Sequence, residues 1–203
     1  MKLAGFVPLS LCDYPGRLSA VIFTQGCNFR CPWCHNRHLI PLPSESSACV
    51  DEEHVMAVLA ERRVRVGGVV VTGGEPTLQA ALPRFLRRLK TLGLSVKLDT
   101  NGSHPEVLRQ LLSEGLLDYV AMDVKAPWSK YAALTGVDAC DVAAVQASVA
   151  LIAASGVSHG FRTTRVDTLL AESDFSLILE QIPQGSAHTW QVFRPNDRQD
   201  ATA

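Results

Sequence analysis

Short apolar stretches alternate with helix-like stretches along this 203-residue chain, and this alternation limits the folds open to it. The apolar stretches have the length of strands, and most are rich in Val, Ile, Leu or Phe. They predict strands at 18–24, 69–72, 95–99, 119–123, 160–166 and 190–194. Strands that alternate with helices are typical of βαβ units and a parallel sheet. Six such units predict an α/β fold, namely a partial (β/α)6 barrel of parallel strands.

Helices are predicted between these strands, at 51–65, 78–92, 105–114, 143–154 and 175–182. Pro83 within the second helix predicts a kink or a late helix start, because proline removes a backbone hydrogen bond. We interpret residues 1–17 as an N-terminal arm or short hairpin, residues 41–50 as a polar linker and residues 196–203 as a disordered tail. The length predicts one domain, residues 1–203, which is shorter than the ~250 residues of a complete eight-unit barrel.

Polar motifs follow the first four predicted strands, at the point where each strand ends. These motifs are Gly26-Cys27, Gly73-Gly74-Glu75, Asp99-Thr100-Asn101 and Asp123-Val124-Lys125. Because parallel strands bring their carboxyl ends to one rim, where α/β barrels place their active sites, we expect a single site there. Arg162 on the fifth strand is a further candidate for this rim, and Gln191 and Arg194 are secondary ones.

Cys27, Cys31 and Cys34 stand in a CxxxCxxC pattern. Thiolates are soft ligands that suit iron–sulfur clusters, zinc or copper(I). Three thiolates can hold three irons of a [4Fe–4S] cluster and leave the fourth iron free to bind a small molecule. The alternative is a zinc knuckle with His35 or His38 as its fourth ligand. The rim motifs favour the cluster, because a structural zinc site would not need them.

Composition and charge narrow the classes of protein further. Cys12, Cys49 and Cys140 are scattered and are interpreted as free thiols, with no second cluster motif. The net charge of −1 gives no general attraction to nucleic acid or to anionic membranes. No run approaches the ~20 apolar residues of a membrane span, and the N-terminus lacks a secretory signal pattern. We therefore expect a cytoplasmic protein with no nucleic-acid and no membrane partner.

The cysteine pattern, with Trp33 before its last cysteine and Gly73-Gly74-Glu75-Pro76 downstream, resembles the radical S-adenosylmethionine (SAM) enzymes. The ending Cys34-His35-Asn36 and the lead-in Asp13-Tyr14-Pro15-Gly16 resemble, more narrowly, the activating enzymes of glycyl-radical enzymes. Among these the chain is most similar to the activator of anaerobic ribonucleoside-triphosphate reductase. The resemblance runs from about residue 4 to about residue 127.

The resemblance implies an activity that depends on two cofactors, a [4Fe–4S] cluster held by the three cysteines and SAM. It implies that the reduced cluster cleaves SAM and that the resulting 5′-deoxyadenosyl radical takes the α-hydrogen of one glycine in a partner. The implied partner is anaerobic ribonucleoside-triphosphate reductase, and the implied electron donor is a flavodoxin or ferredoxin. No side chain is expected to be catalytic, because the cofactors carry the chemistry.

Two alternative functions remain open at this point. The first is a small-molecule radical SAM enzyme, 7-carboxy-7-deazaguanine synthase, which is similar in size and also carries a Gly-Gly-Glu-Pro turn. Its members usually show Cys-Asp-Thr where this chain has Cys34-His35-Asn36. The second, from a different class, is a zinc-binding protein without catalysis.

The resemblance also implies roles for individual residues. Gly73 and Gly74 would bring backbone carbonyls to the SAM amino group, since they lack side chains. Trp33 would lie beside the adenine, and His35 would contribute backbone contacts. Glu75 is either a ligand contact or the charge at a helix N-terminus. The predicted cofactor contacts are Trp33, Cys34, His35, Gly73, Gly74, Glu75, Asp99, Thr100, Asn101, Asp123, Val124, Lys125 and Arg162.

A monovalent cation is a further implied ligand. Asp99, Thr100, Asp123 and the carbonyl of Ala121 match positions that surround such a cation in the pyruvate formate-lyase activating enzyme. Oxygen ligands suit a hard cation. Two carboxylates at one rim would otherwise repel each other, so either a cation or Lys125 is expected between them. Lys125 would also contact the ribose or carboxylate of SAM.

Overall fold

A computed structural model describes residues 1–42 and 49–194 of the chain. Seven strands form one sheet in that part of the chain, in the order β1 to β7. The strands are β1 (Leu3–Tyr14), β2 (Arg17–Thr24), β3 (Gly68–Gly73), β4 (Ser95–Thr100), β5 (Tyr119–Asp123), β6 (Ser158–Arg165) and β7 (Ala187–Val192). β1 is antiparallel to β2, and every other neighbouring pair is parallel. The six predicted strands are confirmed, with ends that differ by at most three residues.

The N-terminal residues take the hairpin form of the expected arm. Tyr14 pairs with Arg17 across a turn that contains Gly16 at a φ of 70°. The pairing of β1 with β2 is interrupted between Val7 and Ser10. Pro8 falls in this interruption, and an edge strand tolerates proline because its N–H is not needed by a second neighbour. The predicted tail and most of the predicted linker lie outside the described residues.

Six α-helices are described alongside the sheet. They are α1 (Glu52–Arg62), α2 (Leu82–Thr91), α3 (Pro105–Ser113), α4 (Tyr131–Thr135), α5 (Val142–Ala154) and α6 (Glu172–Glu180). The second begins late, as Pro83 predicted, with the proline in its first turn. A 3-10 turn at Pro76–Leu78 precedes it. α4 was not predicted, because five residues are too few to show a helical period. No helix in the described ranges is long and apolar enough to cross a membrane.

The strand order places the helices and the cavity on opposite faces. Because neighbouring strands follow each other in sequence and crossovers are right-handed, all the helices lie on one face. Alternate strand residues such as Ile22, Val71 and Leu98 face these helices in the main core, with Phe85 and Leu108. The other face carries a smaller apolar cluster of Tyr14, Val21 and Val70, packed with Phe23 and Tyr119. Polar side chains occupy this second face near the carboxyl ends of the strands, so the partial barrel is open to a ligand there.

Candidate active site

A cavity of about 250 Å³ lies at the carboxyl ends of the parallel strands. The predicted site residues that line it are Cys27, Cys31, Trp33, Cys34, His35, Gly73, Gly74, Glu75, Asp99, Thr100, Asn101, Asp123, Lys125 and Arg162, together with the secondary candidate Gln191. Lining residues that were not among the predicted contacts are Phe29, Asn36, Ile40, Thr72 and Thr164. The loop after β2 and the ends of β3 to β7 therefore meet at one site.

The three cysteines lie on the loop that follows β2. Cys31 is buried, whereas Cys27 and Cys34 are partly exposed. The N–H of Cys34 donates to the carbonyl of Cys31 at 3.0 Å, which turns the chain tightly between these two residues. Burial raises the pKa of the Cys27 thiol to about 11 and also raises that of Cys31. Metal binding would have to release these protons, because the thiolate is the ligand.

One side of the cysteine loop is held by α4. The N–H of Arg30 donates to the carbonyl of Thr135 at 2.7 Å. Gly136 follows at a φ of 68°, and a Cβ there would lie 2.6 Å from the Arg30 carbonyl oxygen. Phe29 meets the ring of Tyr131 edge-on, with centroids 6.3 Å apart. Helix α4, which was not predicted, therefore fixes the position of the predicted metal ligands.

The other side of the cysteine loop is held by the end of β4. The side-chain amide of Asn101 donates to Asn28 Oδ1 at 2.9 Å. The Asn28 amide in turn donates to Ser103 Oγ at 2.9 Å. Asn101 lines the cavity, and its side chain supports the cysteine loop through Asn28. The sequence predicted a cofactor contact at this residue.

The Gly73-Gly74 turn packs directly against the start of the cysteine loop. A Cβ on Gly74 would lie 2.0 Å from the Gly26 carbonyl oxygen, and Gly73 has a φ of 120°. The N–H of Gly74 donates to the carbonyl of Thr24 at 2.9 Å. Only glycine permits this backbone approach and this φ without strain. The two glycines are therefore needed for the contact with the cysteine loop as well as for the turn itself.

Glu75 turns its carboxylate into the protein. Its Oε1 accepts from the N–H and Oγ1 of Thr77 at 3.1 and 2.6 Å, and from Thr100 Oγ1 at 2.8 Å. Its Oε2 accepts from the N–H of Asn101 at 2.7 Å. Burial raises the pKa of Glu75, and these four donors oppose that rise. Of the two roles expected, the geometry favours the charge at the start of a helical turn, here the 3-10 turn.

Arg162 lies at the centre of an ion-pair network on the inner face. Its Nε donates to Asp123 Oδ1 at 2.9 Å, and its Nη1 donates to Asp99 Oδ2 at 3.2 Å. Lys125 Nζ donates to Asp123 Oδ2 at 3.1 Å, and Lys97 Nζ donates to Asp99 Oδ1. Burial raises the pKa of Asp123, but Arg162 and Lys125 outweigh it and hold the pKa at about 2. Both Asp123 and its cationic partners are therefore charged.

The expected monovalent cation does not fit this network. Both oxygens of Asp99 and both oxygens of Asp123 already accept from a side-chain cation. The repulsion between the two carboxylates is relieved by Arg162 and by Lys125, as well as by Lys97, which was not among the predicted site residues. A signal was present, because Lys97 and Asp99 are two residues apart and so share one face of a strand.

Three other predicted residues have distinct positions. Trp33 is only 6% exposed and forms part of the main core as well as the cavity wall. His35 stacks on Phe193, with ring centroids 5.3 Å apart, and its Nε2 lies 2.8 Å from the Arg194 carbonyl oxygen. Val124 is fully buried, and its side chain belongs to the main core rather than to the lining of the cavity, so its cofactor contact stays a prediction.

A [4Fe–4S] cluster and a single zinc ion require different arrangements of their ligands. Within the described ranges, no three His, Cys, Asp or Glu side chains are grouped to hold one metal ion. A single zinc ion requires its ligands to converge in this way. Cluster cysteines each bind a different iron, so convergence on one point is not required. The three cysteines share one cavity wall, as the ligands of a [4Fe–4S] cluster must.

Comparison with known proteins agrees with this geometry. The family model described as the Radical SAM superfamily matches residues 21–176. A relative from Methanocaldococcus jannaschii is 35% identical over 98% of this chain and 82% of its own length, and its name provisionally assigns it to the glycyl-radical enzyme activating enzymes. The 7-carboxy-7-deazaguanine synthase of Thermococcus kodakarensis is 32% identical over 54% of this chain and 50% of its own length.

A solved structure shows the same fold. Streptococcus suis SuiB bound to S-adenosylmethionine superposes with a TM-score of 0.66 at 15% identity, over 87% of this chain and 41% of that one. The match to the family model covers most of the chain, and the archaeal relative covers nearly all of it. The non-catalytic zinc-binding alternative is thereby excluded. The chain belongs to the radical SAM superfamily, whose enzymes use a [4Fe–4S] cluster and S-adenosylmethionine.

Proposed function

We propose that this protein is the activating enzyme of a glycyl-radical enzyme. The observation that carries the proposal is that the three cysteines and residues from each of the four strand-end motifs line one cavity. The M. jannaschii relative, which is similar over nearly the whole chain, supports the same class of activity. When bound and reduced, a [4Fe–4S] cluster would supply the electron for cleavage of SAM, and the 5′-deoxyadenosyl group of SAM would then accept the α-hydrogen of a glycine in the partner.

The cluster would be held by Cys27, Cys31 and Cys34. Their loop is fixed from both sides, by the Arg30–Thr135 hydrogen bond and by the Asn28–Asn101 hydrogen bond. A preorganised loop is expected to hold the cluster in one position relative to the rim, which electron transfer to a bound SAM would require. The cysteines are therefore proposed as ligands, and the asparagines as supports.

SAM would occupy the cavity beside the cysteine loop. Gly73 and Gly74 have no side chains, so their carbonyls are open to an amino group. Arg162 and Lys125 supply positive charge for a carboxylate, and the network to which they belong keeps both cations in fixed positions. Trp33 offers an aromatic wall on the cysteine side. These groups match a zwitterionic amino acid joined to a nucleoside.

The partner's glycine would enter from the open side of the sheet. β1 and β7 are the two edges of the sheet, and the cavity wall near β7 consists of His35, Thr164 and Gln191. We propose anaerobic ribonucleoside-triphosphate reductase as the partner, a flavodoxin or ferredoxin as the electron donor, and the cytoplasm as the location. These three assignments come from the sequence resemblance and stay predictions.

Electron paramagnetic resonance tests the proposal. The reconstituted, dithionite-reduced protein is mixed with SAM and the reductase, and a doublet from the remaining glycine α-hydrogen is expected. Deuterating the partner's glycine at Cα should collapse the doublet and move deuterium into 5′-deoxyadenosine. The Cys31→Ala variant serves as the control and should give no radical. Deoxyadenosine that forms without deuterium would refute glycine as the hydrogen donor.

The second candidate function is that of a 7-carboxy-7-deazaguanine synthase. It is favoured by the similarity to the T. kodakarensis enzyme, which covers about half of each chain. Against it stands Cys34-His35-Asn36, where those enzymes usually carry Cys-Asp-Thr. Stoichiometric consumption of a pterin-like substrate in the absence of any protein partner would establish this function in place of activation.

A further inference from the structure

Lys97 is a charged residue of the inner face to which the proposed function assigns no task. It lies on β4, two residues before Asp99, and only 4% of its surface is exposed. Its Nζ donates to Asp99 Oδ1. A buried ammonium is costly unless it is paired, so this contact must offset the loss of hydration.

Lys97 belongs to a network of five charged side chains. Asp99 and Asp123 stand on neighbouring strands, and Arg162 lies between them. Lys97 takes the remaining oxygen of Asp99, and Lys125 takes the remaining oxygen of Asp123. Three cations therefore face two carboxylates, and the group has a net charge of +1. This excess suits the carboxylate of a ligand such as SAM.

A metal ion has no place in this arrangement while Lys97 is present. To bind Asp99 it would have to displace an ammonium or a guanidinium, and adding it to the intact set would raise the positive charge further. Without Lys97, Asp99 Oδ1 loses its donor beside a second carboxylate. Such oxygens suit a hard monovalent cation.

We propose that Lys97 is a built-in counter-ion that takes the place of a bound monovalent cation at this rim. Lys97 is thus a positioning residue: it holds Asp99, and Asp99 holds Arg162. The proposal rests on the proposed function only in assigning the rim to SAM.

Thermal unfolding in three salts tests the proposal without relying on activity. The protein is melted in NaCl, KCl or tetramethylammonium chloride at equal ionic strength, because tetramethylammonium cannot be coordinated by carboxylate oxygens. The wild-type protein should melt at the same temperature in all three. Lys97→Met should melt about 2–4 °C higher in NaCl or KCl than in tetramethylammonium chloride, since a bound cation stabilises the folded state.

Matched variants separate the charge from the packing. Lys90→Met also removes an ammonium paired with an aspartate, Asp118, but away from the rim, and should show no difference between the salts. Lys97→Arg keeps the charge and should be equally indifferent. A higher melting temperature of the wild-type protein in NaCl or KCl would overturn the proposal. So would an equal loss of stability of Lys97→Met in every salt, which would leave Lys97 with a purely structural role.

Equilibrium binding of SAM to the reconstituted protein provides a second readout. The affinity of Lys97→Met should fall about tenfold in tetramethylammonium chloride, as after loss of one charge-assisted hydrogen bond, and recover in NaCl or KCl. If the wild-type protein does not bind SAM, the proposed function fails. The salt dependence of unfolding still decides the role of Lys97 in that case.

Discussion

Glu75 Oε2 accepts a hydrogen bond from the backbone N–H of Asn101 at 2.7 Å, which joins the turn after β3 to the end of β4. The side chain of the same Asn101 donates to Asn28 in the cysteine loop. One buried carboxylate therefore links three of the segments that build the site. This explains why a glutamate follows the two glycines although it does not have to touch a cofactor.

Replacing Glu75 should destabilise the protein strongly. Glu75→Ala leaves buried donors of Thr77, Thr100 and Asn101 without an acceptor, and we expect a loss of about 2–5 kcal/mol in the free energy of unfolding. Glu75→Gln keeps the shape and should lose less. Urea unfolding measures both, with the exposed Glu106→Ala as the control. A loss under ~0.5 kcal/mol in Glu75→Ala would contradict this role.

The contact between the glycine turn and the cysteine loop predicts a steric effect. In Gly74→Ala the new Cβ would lie 2.0 Å from the Gly26 carbonyl oxygen, so one of the two backbones must move. We expect a loss of at least ~2 kcal/mol in stability and a lower iron content after reconstitution. Gly67→Ala is the matched control, since a Cβ there meets no atom within 4 Å. A normal iron content in Gly74→Ala would show that the loop adapts.

The cysteines are expected to divide into two groups. Alanine at Cys27, Cys31 or Cys34 should abolish the [4Fe–4S] cluster, because each would ligate a separate iron. Alanine at Cys12, Cys49 or Cys140 should leave it intact. Iron quantitation and the absorbance near 400 nm of anaerobically reconstituted protein measure the difference. Retention of the cluster in Cys31→Ala would remove the ligand assignment.

Lys125 should contribute to SAM affinity. Lys125→Met removes a cation from the rim without touching the cysteines, and loss of one hydrogen bond to a charged group costs about 1.5–3 kcal/mol, or roughly ten- to hundredfold in affinity. Anaerobic calorimetry measures the dissociation constant. Lys130→Met is the control, because Lys130 pairs with Asp174 outside the cavity. An unchanged affinity in Lys125→Met would refute the rim assignment.

The ion pairs of Asp123 should make the folded protein less stable in acid. Arg162 and Lys125 hold its pKa at about 2, below its ordinary value of 3.8. A carboxyl with a depressed pKa stabilises the folded state above the unfolded-state pKa, and this stabilisation is lost as the pH falls toward the folded-state pKa. Between pH 5 and pH 3 we expect a loss of about 1 kcal/mol from this residue. Asp123→Asn, compared by urea unfolding, should lack this component. Parallel pH curves for the two proteins would contradict the prediction.

Much of the fold and part of the site could be predicted from local patterns. The strand–helix alternation identified all six parallel strands, and the motifs at the strand ends converged on one cavity as expected. Helix α4 was missed because it is short. Lys97 was missed although its spacing of two residues from Asp99 places both side chains on one face of β4. The direction of the Glu75 side chain could not be predicted, since its partners come from segments distant in sequence.

The sequence by itself determined the parts whose cause is local. The cysteine spacing, the paired glycines at the end of β3 and the strand periodicity follow from residue types and distances along the chain. Only the tertiary structure decided which charged side chains pair with one another. The register of β4, β5 and β6 places Arg162 between Asp99 and Asp123. Lys97 lies two residues before Asp99, on the same face of β4. Side chains on neighbouring strands interact through space, and their pairing depends on a register that no single segment encodes.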